Sequence, residues 1–337
     1  MQAEMIGWLK IQEPSAVAEA RRRARRTANA IGLNSIKVEH AAIVATEIAQ
    51  NILRHGGGGQ LLVEVFGAPS LERLHIVGYD QGPGIERIDR MMRDGETTKG
   101  SPGTGLGAMK RLADRIDIFS QPGETVVAAE FRRQAVRASD PCDHSGLKLA
   151  YPGERRCGDV VAARSAGEEC FYFLADGLGH GAKASIAALA ARKAFFEATG
   201  KDPADILTQI SDAIAGTRGA VGAVVAMNRS NNTLRYAGIG NVSSILVQGK
   251  TIRRLAVRDG LLGGRRSSPH EETVDIGDNT VLLMHSDGLT TLRTLDEMTS
   301  LMQRSAPVIA ASLLARFVRG RDDASILVAR ASHARTL

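Results

Sequence analysis

Three carboxylates in this chain stand at the end of an apolar run and are followed by glycine. Asp80 follows LHIVGY and precedes Gly82 and Gly84, Asp176 follows FYFLA, and Asp287 follows VLLMHS. A carboxylate at a strand end beside a flexible turn places a fixed hydrogen-bond acceptor next to an accessible backbone. Such an arrangement can bind an amino group of a ligand or a metal ion, although an isolated Asp-Gly pair is more often a hairpin turn.

A second pair of polar residues lies in the helical pattern VATEIAQNILRHGGGG. Glu47 and Asn51 are four residues apart and therefore share one helix face. The side-chain oxygen of an asparagine is a suitable ligand for Mg²⁺, and a nearby carboxylate could orient or deprotonate an attacking hydroxyl. Taken alone the pair is weak evidence, because a Glu and an Asn on a helix are most often surface residues.

Two glycine clusters follow this helix, the first around Asp80 and the second from Gly103 to Gly107. Glycines allow successive backbone N–H groups to point at phosphate oxygens, with a helix N-terminus behind them. Neither cluster has the GxxxxGK[ST] pattern of a P-loop, and the second lacks the GxGxxG spacing of a dinucleotide fold.

The order of these features over residues 13–133 resembles the GHKL ATPase fold of histidine kinases, gyrase-type ATPases and anti-sigma-factor serine kinases. The resemblance implies that Asn51 holds Mg²⁺ beside ATP and that Asp80 accepts a hydrogen bond from the adenine amino group. It also implies that the backbone at Gly82 and Gly84 approaches the base. The second glycine cluster would form a lid over the phosphates, with Gly103, Thr104, Gly105, Leu106 and Gly107.

Within that superfamily the segment is most similar to the switch serine kinases of the stressosome, the RsbT type. It has no phospho-accepting histidine helix and no room for a transducer domain. Kinases of this type phosphorylate serine or threonine in small STAS-domain proteins. The resemblance gives Glu47 a catalytic role, in which it orients the substrate hydroxyl for in-line attack on the γ-phosphate.

In the second half, several carboxylates stand at predicted strand ends. Carboxylates that converge repel one another unless a divalent cation joins them, and such hard oxygen ligands favour Mg²⁺ or Mn²⁺ over zinc. The order GD, DGxGHG, GN, SDG and DD over residues 146–330 resembles the PPM metal-dependent Ser/Thr phosphatases, and especially their bacterial RsbX-like branch. The resemblance implies two Mn²⁺ or Mg²⁺ ions that activate water for in-line attack on phosphorus. The implied ligands are Asp159, Asp176, the carbonyl of Gly177, Asp287 and Asp322, with Asp323 left open as the alternative to Asp322.

These residues must be positioned by two domains of an α+β protein. We expect a GHKL (Bergerat-type) α/β sandwich in residues 1–134, a linker in the polar stretch 135–146, and a PPM-type β-sandwich flanked by helices in residues 147–337. The second domain has many short apolar runs, which predict mostly antiparallel strands. Helical patterns cover Pro14 to Ile31, Val38 to His55, Lys183 to Thr199, Pro203 to Ile214 and Ala306 to Arg319.

Composition limits the class of protein and its partners. The net charge is +6, but only 4% of residues are aromatic and the arginines are scattered outside residues 19–30, so we expect no nucleic-acid partner. The arginine run is interpreted as a solvated helix face, with an acidic protein partner as the alternative. Three cysteines without CxxC spacing indicate neither a disulfide framework nor a zinc site. The absence of a signal peptide pattern and of a long apolar run predicts a cytoplasmic protein that does not enter a membrane.

The combined hypothesis is a bifunctional partner-switching regulator in bacterial stress or sigma-factor signalling. Its two domains would phosphorylate and dephosphorylate STAS-domain antagonist proteins. In the alternative hypothesis only the phosphatase is catalytic, and the ATP-binding domain is an anti-sigma or STAS-binding module or a nucleotide sensor. A sigma factor as partner and a homodimer as assembly are left open.

Overall fold

The computed structural model describes residues 7–86, 88, 105–133, 143–264 and 268–331. The chain forms two compact units. The first unit is formed mainly by Trp8–Pro141 and includes Gln303–Ser312, and the second is formed by Cys142–Met302 and Leu313–Ala334. The expected α+β class with two domains is confirmed. Within the described ranges, no helix is long and apolar enough to cross a membrane.

The first unit contains one antiparallel five-stranded sheet with the strand order β1-β2-β3-β5-β4. Strand β3 is therefore central, and the candidate adenine-binding Asp80 is its last residue. The strands are β1 Leu9–Ile11, β2 Gly59–Phe66, β3 Arg73–Asp80, β4 Arg115–Gln121 and β5 Glu124–Arg132. The helices are α1 Pro14–Ala30, α2 Ser35–His55 and α3 Gly105–Leu112.

Helix α1 buries one narrow alanine stripe and exposes its arginines. The alanines at positions 16, 20, 24 and 28 recur every four residues, and all four are buried. Small side chains at this spacing let α1 lie close to α2. Helix α2 begins at Ser35, three residues before the predicted start, because the Asn34 side chain caps it by accepting a hydrogen bond from Lys37 N at 2.8 Å.

The contact of α2 with the central strand requires glycine in the strand. A Cβ built on Gly78 of β3 would lie 2.4 Å from Cγ2 of Ile48 on α2. Ile48 and Ile52 belong to the apolar core between the helices and the sheet. The absence of a side chain at position 78 therefore allows α2, with its candidate functional residues, to lie directly on β3.

The second unit contains two antiparallel five-stranded sheets with the orders β13-β10-β9-β8-β7 and β12-β11-β14-β15-β6. The strands of the first are β7 Asp159–Ala166, β8 Glu169–Gly177, β9 Ala220–Asn228, β10 Thr233–Ile239 and β13 Glu272–Asp275. Those of the second are β6 Asp143–Leu149, β11 Ser243–Gln248, β12 Thr251–Arg254, β14 Val281–His285 and β15 Ala324–Arg330.

Helices cover the first of these sheets and complete its core. Helix α4, Gly181–Glu197, packs Phe195 against Phe173 of β8 with ring centroids 5.2 Å apart. Helix α5, Pro203–Ala213, contributes Ile206 and Ile210 to the same core. A short helix α6, Thr299–Met302, precedes α7, Ala306–Phe317. The predicted helices of this half are thus confirmed, with ends displaced by up to two residues.

The predicted linker is wrong at its C-terminal end. Strand β6 begins at Asp143 and pairs with β15 from Asp143↔Arg330 to Leu149↔Ala324, so residues 143–146 are part of a sheet. The sequence DHSG has no apolar alternation, and main-chain pairing makes it a strand. Asp143 also lies 3.6 Å from Nε of Arg330 in a buried ion pair. The rest of the predicted linker, 135–142, lies outside the described residues.

Two of the three cysteines are within the described ranges, and they differ in state. Cys157 is a buried free thiol, and burial together with the neighbouring Asp159 carboxylate raises its pKa well above the ordinary value. Cys170 is disulfide-bonded. An odd number of cysteines without CxxC spacing predicts no disulfide framework, so the bonded state of Cys170 corrects that expectation.

Candidate nucleotide and metal sites

Helix α2 brings Glu47 to the start of α3. Glu47 and Asn51 are both half-buried on one face of α2. A Cβ built on Gly105, the first residue of α3, would lie 3.5 Å from Oε2 of Glu47. The carboxylate therefore stands at a helix N-terminus, where backbone N–H groups favour negatively charged groups such as phosphates. The individual roles of Glu47 and Asn51 stay predictions.

The Asp80 turn is closed by backbone contacts that leave no room for side chains. Oδ1 of Asp80 accepts a hydrogen bond from Gly82 N at 3.0 Å. A Cβ built on Gly56, at the end of α2, would lie 2.6 Å from Cβ and Cγ of Asp80. Burial raises the pKa of Asp80, and the Gly82 N–H partly offsets that effect. The Asp80 carboxylate is therefore buried and lies beside backbone without side chains, as expected for a hydrogen-bond acceptor that binds a ligand.

The second glycine of this turn has a conformation that other residues rarely adopt. Gly84 has φ = +86°, and a Cβ there would lie 2.9 Å from the backbone of Gln121. The next residue is fixed by the sheet, since Ile85 N donates to Oγ of Ser120 at 2.8 Å. Gly82 and Gly84 are thus required by space and by φ, respectively.

The predicted glycine-rich lid is partly helix. Gly103 and Thr104 lie outside the described residues, whereas Gly105, Leu106 and Gly107 form the first turn of α3. Leu106 is 6% exposed and packs in the core of the first unit. The helix begins within the glycine cluster because Leu106 and Met109 are spaced to bury one helix face. Because the Leu106 side chain is buried, only the backbone of this residue could bind a phosphate.

In the second unit, Asp159 and Asp176 are direct partners across the β7–β8 ladder. Gly177 N donates to the Gly158 carbonyl at 3.0 Å, and a Cβ on Gly177 would lie 2.5 Å from the Ala184 carbonyl oxygen of α4. The strand end is thus held between a neighbouring backbone and a helix. Sequence alone predicted carboxylates at strand ends, and the structure places these two opposite each other.

Burial and the surrounding acidic charges raise the pKa values of these two carboxyl groups. Neither carboxylate oxygen of buried Asp159 has a hydrogen-bond partner in good geometry, and nor has Oδ2 of Asp323, although the nearby Ser286 and Ser325 side chains partly offset the rise in the pKa of Asp159. Burial, together with Asp323, raises the pKa of Asp159 to about 7. Burial, together with the charges of Asp159, Asp287 and Asp322, raises the pKa of Asp176 to about 9. Orphaned, crowded carboxylate oxygens are the donor type that a hard divalent cation satisfies.

The other implied ligands differ in exposure. Asp287 and Asp322 are exposed, and Oδ2 of Asp287 accepts a hydrogen bond from Nδ2 of Asn241 at 2.9 Å. Asp323 is buried, and its Oδ1 accepts from Tyr151 N at 2.7 Å. As their side chains stand, the described residues contain no group of three or more His, Cys, Asp or Glu that could hold a metal ion. The structure thus brings the acidic residues to one region without closing a ligand set.

Sequence reasoning missed several neighbours of the DGLGHG turn. The ring of Tyr151 stacks on His180 at 4.3 Å, and Nδ1 of His180 lies 3.4 Å from Oε1 of Glu154. Nη1 of Arg218 would lie 3.1 Å from a Cβ on Gly179, and Leu178 N donates to the Gly219 carbonyl at 3.1 Å. These residues come from loops without a distinctive motif. The one signal that could have identified Arg218 is its own positive charge, since a basic residue is useful beside acidic strand ends.

Two family models match the chain, one in its first half and one in its second half. Residues 12–131 match the histidine kinase-like ATPase domain, and residues 166–332 match the family described as stage II sporulation protein E (SpoIIE). The first match covers α1 to β5. The second includes Asp176, Asp287 and Asp322, and it begins after Asp159.

Similar proteins show the same division. The serine/threonine-protein kinase RsbT of Bacillus subtilis is 34% identical over 108 residues, which are 32% of this chain and 81% of RsbT. The phosphoserine phosphatase RsbX of the same bacterium is 26% identical over 144 residues, which are 42% of this chain and 72% of RsbX. A crystal structure of RsbX with magnesium shares the fold, with a TM-score of 0.52 and 21% identity over 58% of this chain and 98% of that one. Through its first domain the chain belongs to the RsbT family of serine/threonine-protein kinases, and it joins to that domain an RsbX-like phosphatase domain of the PPM type.

Proposed function

We propose that this chain both phosphorylates and dephosphorylates STAS-domain proteins. The first domain transfers the γ-phosphoryl group of ATP to a serine or threonine hydroxyl, and the second hydrolyses the phosphoester. RsbT and RsbX, which the two domains resemble, are named as a serine/threonine kinase and a phosphoserine phosphatase. Their union on one chain supports a partner switch that is set by the balance of the two activities.

The position of Glu47 at the N-terminus of α3 carries the kinase proposal. The substrate oxygen attacks the γ-phosphorus, the bond to the bridging oxygen of ADP breaks, and Glu47 receives the hydroxyl proton. Asn51 holds the Mg²⁺ that accompanies ATP. The Gly82 hydrogen bond engages Oδ1 of Asp80, which leaves Oδ2 for the adenine amino group. The backbone of α3 faces the phosphates.

The orphaned oxygens of Asp159 support a metal-dependent phosphatase. Asp176 with the Gly177 carbonyl, Asp159, Asp287 and Asp322 would hold two divalent cations, Mn²⁺ or Mg²⁺. When bound, these ions supply activated water and charge that stabilises the phosphoryl oxygens. Asn241 orients Asp287 through its hydrogen bond. Oδ1 of Asp323 accepts from Tyr151 N and Oδ1 of Asp322 accepts from Asp323 N at 2.8 Å, so each keeps one oxygen for a cation, and Asp322 is proposed as the ligand on its position in the motif.

Opposed activities on one chain consume ATP to no effect unless something selects between them. We therefore propose that a ligand, a partner or the linker shifts the balance. The proposal predicts that cutting the chain within the linker changes the ratio of the two rates. Equal rates in the intact and cut proteins would show that the two activities are independent.

The decisive experiment is a γ-phosphate transfer assay with labelled ATP and Mg²⁺ on the STAS-domain proteins of the source organism. The Asp176→Asn protein is used so that hydrolysis cannot remove the product. We expect label on a serine or threonine of a STAS protein, and we expect Glu47→Gln to abolish it while ATP binding survives. Restoring Asp176 should then remove the label.

One result would contradict the kinase and keep the phosphatase. If ATP binds but no STAS protein is labelled, the first domain is a binding module or a nucleotide sensor. Phosphatase rates measured with and without ATP would then separate these two roles, since only a sensor makes the rate depend on the nucleotide.

A further inference from the structure

Helix α2 carries an apolar stripe that faces solvent. Ile36 is 65% exposed and Ile43 is 37% exposed, although the helix buries its other face in the core of the unit. His40 lies between them and is half-buried. We call Ile36, His40 and Ile43 the α2 stripe. Two isoleucines exposed on one helix face are costly to leave in water, and such patches mark interaction surfaces.

The α2 stripe leads to the candidate catalytic carboxylate. Positions 36, 40, 43 and 47 follow one another at intervals of four, three and four, which places them on one helix face. At a rise of about 1.5 Å per residue, Ile43 is about 6 Å and Ile36 about 16 Å along the helix from Glu47. A molecule that covers the stripe therefore reaches Glu47 without leaving α2.

The border of the stripe is basic. Arg25 of α1 lies 2.5 Å from Oε2 of Glu39 on α2, and Arg21 lies 3.8 Å from the same oxygen. These contacts hold the arginine face of α1 beside the stripe. Between positions 14 and 40, five arginines are accompanied by Glu19 and Glu39, and Lys37 is paired with Asp114 at 2.7 Å, so this surface has an excess of three positive charges. Its partner should be acidic at the rim and apolar at the centre.

We infer that the α2 stripe is the docking surface for the protein whose hydroxyl is phosphorylated. The partner is an acidic STAS-domain protein that places apolar side chains on Ile36 and Ile43 and its acceptor hydroxyl at Glu47. This inference rests on the proposed kinase function. It adds where the substrate binds and what recognises it. Apolar contact provides affinity, and the arginine border of α1 provides charge complementarity and rapid association.

The test compares two sets of exposed apolar residues in the full-length chain, in the Asp176→Asn background. The variant is Ile36→Ser with Ile43→Ser. The matched control is Leu71→Ser, because Leu71 is 68% exposed and lies between β2 and β3, off α2. The Kd of each STAS-domain protein is measured by surface plasmon resonance, and the KM and kcat of transfer are measured separately.

We expect the double variant to raise Kd and KM about tenfold or more, with kcat at saturation and ATP affinity within about twofold of the parent. Leu71→Ser should leave all four values unchanged. Arg25→Glu should also raise Kd, and binding to the parent should weaken as salt rises. An unchanged Kd in the double variant would overturn the inference.

The two proposals fail in different ways. If STAS proteins bind through the stripe but are never labelled, the docking surface stands and the kinase fails. If label appears with the same KM in the double variant, the kinase stands and the docking surface fails. If no STAS protein binds the parent chain, the docking surface is overturned. Glu47→Gln, which should abolish transfer and leave Kd unchanged, separates chemistry from binding.

Discussion

Asp159 and Asp176 face each other across the β7–β8 ladder, so their side chains lie on the same side of one hairpin. Burial raises the pKa of both carboxyl groups, and the charge of Asp159 raises that of Asp176 further. Buried carboxylates without a balancing charge lower the stability of the fold, and a bound cation would supply that charge. The first prediction separates these two effects.

Replacing Asp176 should affect catalysis and stability in opposite directions. We expect Asp176→Asn to reduce phosphatase activity about 100-fold or more, since even outer partners of metal ligands are worth about 10–100-fold. In EDTA the variant should melt at the same temperature as the parent or higher, because a buried, repelled carboxylate is removed. Added Mn²⁺ should raise the melting temperature of the parent alone.

Asp212→Asn serves as the control for that comparison, because Asp212 is exposed on α5. It should leave the rate and both melting temperatures unchanged. A markedly lower melting temperature of Asp176→Asn in EDTA would show that the carboxylate supports the fold and does not strain it.

Arg218 should bind the phosphoryl group of the substrate. Its guanidinium lies beside Gly179 of the DGLGHG turn, where a phosphate would approach the acidic cluster. We expect Arg218→Ala to raise KM for a phosphoprotein about tenfold, with Arg218→Lys intermediate because a lysine keeps the charge and loses the planar fork. Mn²⁺ should stabilise both variants as it stabilises the parent. An unchanged KM, as expected for the exposed Arg293→Ala, would contradict this role.

Of the two glycines at the end of α2, Gly57 should tolerate a methyl group and Gly56 should not. A Cβ on Gly56 would strike Asp80, whereas at Gly57, with φ = +68°, nothing lies within 4 Å. Gly56→Ala should therefore weaken ATP binding about tenfold or more by displacing Asp80. Gly57→Ala should cost about 1 kcal/mol of stability through its φ and leave the affinity near that of the parent. Titration with ATP by calorimetry distinguishes the two, and equal affinities would remove Asp80 from the adenine site.

A buried charge cluster should make the first unit sensitive to acid. His75, Arg73 and Arg132 surround Glu130, and although burial opposes ionisation, they hold the pKa of Glu130 well below 4.5. The ionised carboxylate therefore contributes stability that is complete above about pH 4.5 and is lost as the pH falls through the lowered pKa. Glu130→Gln should destabilise the protein by about 3–5 kcal/mol at pH 7.

Chemical denaturation between pH 7 and pH 3 provides the measurement. The difference between the parent and Glu130→Gln should be largest at pH 7 and should shrink below about pH 4.5. Glu19→Gln, which removes a carboxylate from the exposed arginine face of α1, should cost less than about 1 kcal/mol at any pH. A pH-independent loss in Glu130→Gln would instead indicate a packing defect.

The sequence was informative where local pattern and site chemistry coincide. A carboxylate after an apolar run predicts the end of a strand, and the structure places Asp80 and Asp176 at strand ends and Asp287 two residues beyond one. Helical spacing placed Glu47 and Asn51 on one face for the same reason. The division into two domains followed from the change between a long helical pattern and many short apolar runs.

The features that the sequence did not predict depend on tertiary contacts, which a local sequence pattern does not contain. Residues 143–146 form a strand because β15 pairs with them, which no alternation announces. Leu106 lies in a glycine-rich stretch of the sequence, but its side chain packs in the core of the first unit. Asp322 and Asp323 are equivalent in sequence, whereas in the structure Asp322 is exposed and Asp323 is buried and accepts a hydrogen bond from Tyr151 N, 172 positions away.

Strand β6 is both the entry of the chain into its second unit and the neighbour of Asp323. Its pairing with β15 ends at Leu149↔Ala324, one residue after Asp323, and Tyr151 N then holds the carboxylate itself. In mechanical terms, tension applied at Asp143 loads a seven-pair ladder in shear and is passed to that carboxylate. A load on the N-terminal end of β6 would therefore act on the geometry beside the acidic cluster.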